Sequence, residues 1–163
     1  MTSTGQKPRV FPVYLECEVG GKSKDELIAE IEALDMYVLD WARSMMSQPA
    51  WKPGEHERVK FARIEVRDLG FTKDPTTIDL LVCVRESGNS LCKPCDGPAI
   101  RLALSIQSYS DMVWIAMEPI IVSNRYPQIF TLGRLDDGRL WLFADWASKA
   151  RHLNDEVIFR LGQ

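Results

Sequence analysis

The chain has 163 residues, of which 45% are hydrophobic and 26% are charged. This is ordinary usage for a globular domain with its own core, and it argues against wholesale disorder. The net charge of −3 argues against nucleic acid as a partner, because nucleic-acid binders usually carry a basic excess. No apolar run is long enough to cross a bilayer, and residues 1–9 lack the pattern of a secretory signal. We therefore predict a cytoplasmic protein that binds no membrane, with a disordered lead-in over residues 1–9 and a single domain over residues 10–163.

The first predicted element is a strand at the edge of a sheet. Apolar residues alternate with polar ones from Val10 to Val19, which is typical of a half-buried strand. Pro12 has no amide proton to give to a neighbouring strand. The segment is therefore predicted to be an edge strand, or to begin after the proline.

A long amphipathic helix is the central structural prediction. Ser23 followed by Glu26 is a capping box, in which each side chain satisfies an amide at the start of a helix. Apolar residues then recur at alternating steps of four and three, as on one face of a helix. They are Leu27, Ile31, Leu34, Val38, Trp41 and Met45. The pattern predicts one continuous helix from Lys24 to about Ser47 that buries this stripe in the core.

The rest of the chain is interpreted as strands joined by short connections. The predicted strands are Val59–Leu69, Ile78–Val84, Ile100–Ile106, Met112–Val122, Ile129–Leu135 and Arg139–Asp145. Gly138 can supply the positive φ of a hairpin turn between the last two. Asn154 as an N-cap predicts a short C-terminal helix, and a last strand over Glu156–Leu161 is the alternative.

These elements predict an α+β fold. One long amphipathic helix packs on a curved sheet of about six or seven strands, with the short helix at the C-terminus. The sheet is predicted to be mostly antiparallel, since parallel pairing needs a long crossover. Met112–Val122 is apolar on both faces, as in a central strand. One helix covers only one face, so the C-terminal segment covers the other, or a second copy does so in a homodimer.

Cys92 and Cys95 form the clearest motif of metal or thiol chemistry. Two cysteines separated by two residues can ligate zinc or form a redox pair. The remaining nitrogen and sulfur ligands complete no second zinc half-site by their spacing. They are Cys17, Cys83, His56 and His152. Because the motif precedes a predicted strand rather than a helix, we expect exposed or half-buried thiols with no role; a metal site at Cys92 and Cys95 is the alternative.

Aromatic residues supply the candidate binding residues. Trp51 and Tyr126 lie in proline-containing loops, where an aromatic side chain is more often a contact residue than a core residue. Trp114 and Trp141 lie in predicted strands, where aromatics usually belong to the core or to cross-strand pairs. The predicted ligand- or partner-binding set is Trp51, Tyr126, Trp114 and Trp141.

Catalytic signatures are not recognisable in the sequence. The loop Gly20–Ser23 is too short to surround a phosphate, and His56 and His152 lie in unremarkable charged segments. We therefore predict a non-catalytic binding domain without a cofactor. Its ligand is a small apolar molecule in a cup between helix and sheet, or a protein partner. The alternatives are a zinc- or thiol-dependent protein that uses Cys92 and Cys95, and an enzyme whose acid–base residues the sequence does not reveal.

Overall fold

The computed structural model describes residues 9–108, 111–122, 126–148 and 151–162. Of the predicted lead-in, all but Arg9 lies outside the described residues. Within these ranges the strands are β1 (Leu15–Val19), β2 (Tyr37–Val38), β3 (Glu57–Glu65), β4 (Met112–Ile115), β5 (Ile120–Ile121), β6 (Pro127–Arg134), β7 (Leu140–Trp146) and β8 (Glu156–Arg160). The helices are α1 (Lys24–Ala33), α2 (Asp40–Met46), α3 (Thr77–Glu86) and α4 (Asp96–Ala103), with a 3₁₀ turn at Val66–Leu69. None of these helices has the length and apolar content to span a membrane.

The strands form one curled, mixed sheet. Its order is β1-β3-β8-β4-β6-β7-β2, and β5 pairs with β6. The prediction of a mostly antiparallel sheet is wrong, because β8 pairs parallel with β4 and β2 pairs parallel with β7. The members of each parallel pair are far apart in sequence, so their connections are long enough to cross over. The predicted edge strand is confirmed, since β1 begins after Pro12 and ends the sheet.

Helix α4 fills the inner side of this sheet. It has eight residues and packs against β1, β6 and β7. Four strands separate β1 from β7 in the sheet order, so a helix this short contacts both only because the sheet curls around it. Gly97 permits the close approach, since a Cβ at this position would lie 2.5 Å from Cδ2 of Phe130 in β6. Side chains of α4 therefore pack closely against the inner side of β6.

The outer side of the sheet is covered in part by α3. Val113 pairs with Leu132 on the inner side, so Trp114 points outward. The Arg151 guanidinium lies 3.7 Å from the centroid of the Trp114 ring, and its Nε donates to Oγ1 of Thr77 in α3 at 3.2 Å. Trp114 is consequently 2% exposed. The chain itself covers Trp114 on the second face of β4, while Met112 on the same face is 41% exposed, so the homodimer stays a prediction.

The single long helix predicted over Lys24–Ser47 is wrong. The capping box at Ser23 is confirmed, but α1 ends at Ala33 and Asp35 has a left-handed φ of 60°. Aspartate tolerates this region better than most residues. The following Tyr37–Val38 pair has side chains that favour strands, and it adds to the edge of β7 instead of continuing the helix.

The predicted stripe is only partly buried as a result. Leu27, Ile31, Val38 and Met45 reach the core as expected, although from three separate elements. Leu34 is 57% exposed and Trp41 is 43% exposed. The break between α1 and α2 rotates these two side chains out of the stripe.

Two of the predicted strands are helices. Ile78–Val84 lies within α3, where Oγ1 of Thr76 accepts the Asp79 amide at 3.1 Å as an N-cap. Ile100–Ile106 overlaps α4, whose first turn tolerates Pro98 because the amides there have no partner within the helix. In Ile78–Val84 every residue except Asp79 is apolar, so alternation is a poor guide. The buried positions have helical spacing: Thr77, Leu80, Leu81 and Val84.

The C-terminal helix is also wrong, and its alternative is correct. β8 inserts between β3 and β4. Val157, Ile158 and Phe159 are fully buried, as expected for β-prone residues in a central strand. The central strand predicted over Met112–Val122 is shorter, because it divides into β4 and β5. The hairpin of β6 and β7 is confirmed, with a φ of 90° at Gly138.

Candidate binding surface

The outer side of β6 and β7 is lined by aromatic side chains. Trp141 and Phe143 alternate along β7 with Leu142 and Ala144, which are fully buried on the inner side. Gly133 pairs with Trp141, and a Cβ on this glycine would collide with the far end of the indole. The glycine therefore lets the Trp141 ring lie across the neighbouring strand.

Five rings from three segments contact one another in this part of the molecule, and we call them the aromatic surface. They are Tyr126, which precedes β6, Trp41 of α2, and Trp141, Phe143 and Trp146 of β7. Tyr126 stacks on Trp146 with ring centroids 5.0 Å apart, and Trp146 stacks on Trp41 at 6.5 Å. Trp41 also stacks on Phe143 at 5.8 Å, and Trp141 meets Phe143 edge-on at 6.0 Å. Four rings thus form a continuous stack, which Trp141 extends.

The stack is open to solvent. Tyr126 is 48% exposed, Trp41 is 43% exposed and Trp146 is 41% exposed. Grouped apolar side chains on a protein surface mark interaction sites more often than isolated ones. Tryptophan and tyrosine are also the residues most often found at the energetic centre of interfaces.

Hydrogen bonds to ordered elements hold the surface in place. The Leu39 amide donates to the Leu142 carbonyl at 3.0 Å, which ties the start of α2 to β7. The Trp146 amide donates to Oδ1 of Asp145 at 2.7 Å, and its carbonyl accepts a bond of 2.8 Å from the buried Arg151 guanidinium. Because strand pairing and a helix carry the rings, little ordering is needed when a ligand binds.

Two of the four predicted binding residues lie in the aromatic surface. Tyr126 and Trp141 are brought together with Trp41, Phe143 and Trp146. The first two had been selected from sequence alone. Phe143 and Trp146 reach the surface because of their positions in β7. Trp41 reaches it because the chain breaks between α1 and α2. The sequence does contain a signal for Phe143. It lies two residues after Trp141 in the same strand, and this spacing places both side chains on one face of the sheet.

The other two predicted binding residues are buried elsewhere. Trp51 is 6% exposed, and its Nε1 donates to the Pro94 carbonyl at 3.1 Å. Trp114 lies beneath Arg151 on the outer side of β4. Both are packed within the fold, so neither belongs to the aromatic surface. A binding role for them stays a prediction that the geometry does not favour.

Cys92 and Cys95 are buried rather than exposed or half-buried, so this expectation is wrong. They are 4% and 1% exposed, and Cys95 lies at the start of α4 rather than before a strand. Burial, followed by the nearby Asp96 carboxylate, raises the pKa of Cys95 to about 11. The pKa of Cys92 is raised for the same reasons. Both thiols stay protonated at neutral pH, which disfavours nucleophilic chemistry. Among the described residues no group of three or more His, Cys, Asp or Glu side chains is arranged to hold a metal.

A buried ion pair explains the surroundings of these thiols. The Arg160 guanidinium donates to both carboxylate oxygens of Asp96, at 2.6 and 2.8 Å. The Lys93 amide donates to the same carboxylate at 2.8 Å. These bonds attach the start of α4 to β8. They give the Cys92–Cys95 segment a structural role.

An open groove of about 750 Å³ lies next to this ion pair. Five of its charged side chains are paired with one another. Glu57 accepts from Lys93 at 3.0 Å and from Arg160 at 3.2 Å, and Arg58 donates to Glu16 at 2.6 Å. The hydrogen bond from Lys93 is the main reason that the pKa of Glu57 lies below its ordinary value. A ligand would have to break these pairs, which makes the groove a weaker candidate than the aromatic surface.

A further buried network joins Arg63, Asp111, Gln107 and Arg101. Arg63 donates to Asp111 at 2.5 Å, and Gln107 donates to the same carboxylate at 3.3 Å. Arg101 donates to Oε1 of Gln107 at 2.6 Å and to backbone carbonyls nearby. Burial lowers the pKa of Arg101 to about 10. The network connects α4 to the sheet from within, since Arg101 is fully buried.

Comparisons with protein-family models, with curated proteins and with solved structures found no match to this chain. The candidate function therefore rests on the geometry and chemistry of the chain itself.

Proposed function

We propose that the protein is a non-catalytic binding module that engages a protein partner through the aromatic surface. The observation that carries the proposal is the stack of Tyr126, Trp146 and Trp41, each more than 40% exposed. A protein leaves this much aromatic area in water at a cost to its own solubility. A partner that covers the rings would recover their burial free energy.

A protein partner is favoured over a small apolar ligand. A small ligand is usually held in a concave site that surrounds most of its surface. The inner side of the sheet is filled by α4, where Ile100 and Arg101 are fully buried. The exposed rings instead belong to the end of β7, to the start of α2 and to the residue before β6. A surface of this shape suits the face of another protein.

Comparative capture with matched variants tests this proposal. The immobilised wild-type chain, Trp146→Ala and Ile78→Ala are each exposed to the proteins of the source cell. Ile78 is 73% exposed on α3, so its variant removes an apolar side chain elsewhere. We expect a stoichiometric partner that wild type and Ile78→Ala retain and Trp146→Ala loses, with all three chains equally folded by circular dichroism. Retention of the same proteins by all three would contradict the proposal.

A further inference from the structure

Two further apolar side chains extend the area around the aromatic surface. Met112 pairs with Gly133 from the side opposite to β7, so it lies next to the far end of the Trp141 ring, which crosses that glycine. It is 41% exposed. Ile121 pairs with Pro127 at the start of β6 and is 63% exposed. The apolar area open to solvent therefore continues beyond the five rings, onto β4 at one end and onto β5 at the other.

Charge is scarce on the outer side of these strands. Of the outward-facing residues that the structure describes in β4, β5, β6 and β7, Asp145 is the only charged one. The outer side of β1 and β3 is different, since Arg58 there forms ion pairs with Glu16 and Glu18. A nearly uncharged surface does not select a partner of opposite charge. It can meet a copy of itself, because few like charges are brought together across a twofold axis.

The exposed apolar area is about what one subunit contributes to a dimer. An aromatic side chain buries about 150–250 Å², so the exposed fractions of the five rings, Met112 and Ile121 amount to roughly 500 Å². A stable interface takes about 800 Å² from each partner. About 65% of a homodimer interface is apolar, which again gives roughly 500 Å², whereas non-obligate interfaces are only about as apolar as the ordinary protein surface.

We infer that the partner held by the aromatic surface is a second copy of this chain. The two copies pack their aromatic surfaces against each other about a twofold axis, so that each covers the rings of the other. The same contact covers Met112, which the chain itself leaves exposed on the outer side of β4. This inference rests on the proposed function, since it names the partner that the same surface takes.

Sedimentation equilibrium of the full chain tests the inference, with Trp146→Ala, Trp41→Ala and Ile78→Ala as variants. We expect wild type and Ile78→Ala to dimerise with the same dissociation constant, because Ile78 lies on α3, outside the surface. Each tryptophan variant should raise the dissociation constant about 30-fold or more, as expected when a ring at the centre of an interface is removed. Circular dichroism checks that all four chains are equally folded. A dimer that all four form equally well would overturn the inference.

A wild-type chain that stays monomeric at high micromolar concentration would also overturn the inference, and the capture experiment would then decide the proposed function. A different protein that wild type retains and Trp146→Ala loses would keep the binding surface and replace the second copy as its partner. A monomer that captures nothing through Trp146 would contradict both. If the inference holds, the captured partner is the protein itself, and mixing unlabelled with isotope-labelled chain gives hybrid dimers in native mass spectrometry.

Discussion

The two halves of the sheet bury their side chains in different ways. In the half formed by β1, β3, β8 and β4, the outer side carries exposed charged side chains such as Arg58 and Lys60, and other charges are enclosed in pairs such as Arg160 with Asp96. In the half formed by β6, β7 and β2, the inner side is equally well packed, but aromatic rings form the outer side and remain partly exposed. The first half holds the fold together. The second half carries most of the aromatic surface.

The enclosed ion pairs contribute to stability, whereas stability alone does not account for the exposed rings. A buried ion pair needs both partners, because a single enclosed charge is strongly unfavourable. Exposed rings need no such partner to keep the chain folded, and a polar residue would serve solubility better. This contrast is the reason that we propose a binding role for the rings.

The largest effect is expected in the first half, at Asp96. Asp96→Ala leaves the Arg160 guanidinium buried without its main partner. We expect it to lower the free energy of unfolding by about 3–5 kcal/mol, measured by urea denaturation. Lys93→Ala is the control, since its ion pair with Glu57 is half exposed and should contribute less than about 1 kcal/mol. Equal losses in the two variants would show that the Asp96 pair is no more important than a surface pair.

The same substitution on the two sides of β6 sharpens the comparison. Gly97→Ala forces a methyl group against the buried ring of Phe130, and overpacking of this kind costs about 1–3 kcal/mol. Gly133→Ala meets the far end of the half-buried Trp141 ring, which can swing toward solvent. We therefore expect Gly133→Ala to cost about 1 kcal/mol or less and to alter the near-ultraviolet circular dichroism of the rings. Greater destabilisation by Gly133→Ala than by Gly97→Ala would contradict a tightly packed inner side and an adjustable outer side of β6.

A pH-dependent loss of stability is also expected in the first half. The pKa of Cys95 is raised in the folded chain to about 11 from an ordinary value of 9.0. Between these values the unfolded chain releases the thiol proton and the folded chain keeps it, so stability falls as the pH rises. From about pH 8 to about pH 10.5 this thiol should account for about 1–2 kcal/mol of the fall.

Cys95→Ala isolates that contribution. The variant lacks the thiol, so its free energy of unfolding should fall less steeply over the same pH range. Urea denaturation of both proteins at each pH measures the two slopes. Parallel curves for wild type and Cys95→Ala would show that the thiol has no raised pKa.

Local patterns predicted those parts of the fold that local forces determine. The hairpin of β6 and β7 follows from alternation and from Gly138, and the start of α1 follows from the capping box at Ser23. The start of α4 was missed because Gly97 next to Pro98 resembles a turn. The reason for a glycine there is its contact with Phe130, 33 positions away, which no local pattern reveals.

The sequence predicts only part of the aromatic surface, because long-range contacts determine the rest. Tyr126 and Trp141 were selected from their own segments, and the structure places both in it. Trp51 resembles Tyr126 in sequence context, yet its indole is turned inward by a bond to the Pro94 carbonyl. Trp41 was assigned to a buried helical stripe and joins the surface because the chain breaks after α1. Long-range contacts decide which of two similar loop aromatics is exposed.

The smallest effect on stability is expected at the aromatic surface itself. Trp146→Ala removes a ring that is already 41% exposed, so the lost burial is partial and the neighbouring rings can close over the gap. We expect a loss of about 1 kcal/mol or less in the free energy of unfolding. Trp114→Ala is the matched control, because it empties a fully enclosed site and should cost about 3–5 kcal/mol. Similar losses in the two variants would mean that the stack supports the fold as a core does. A small loss at Trp146 with loss of the captured partner would separate binding from folding at one residue.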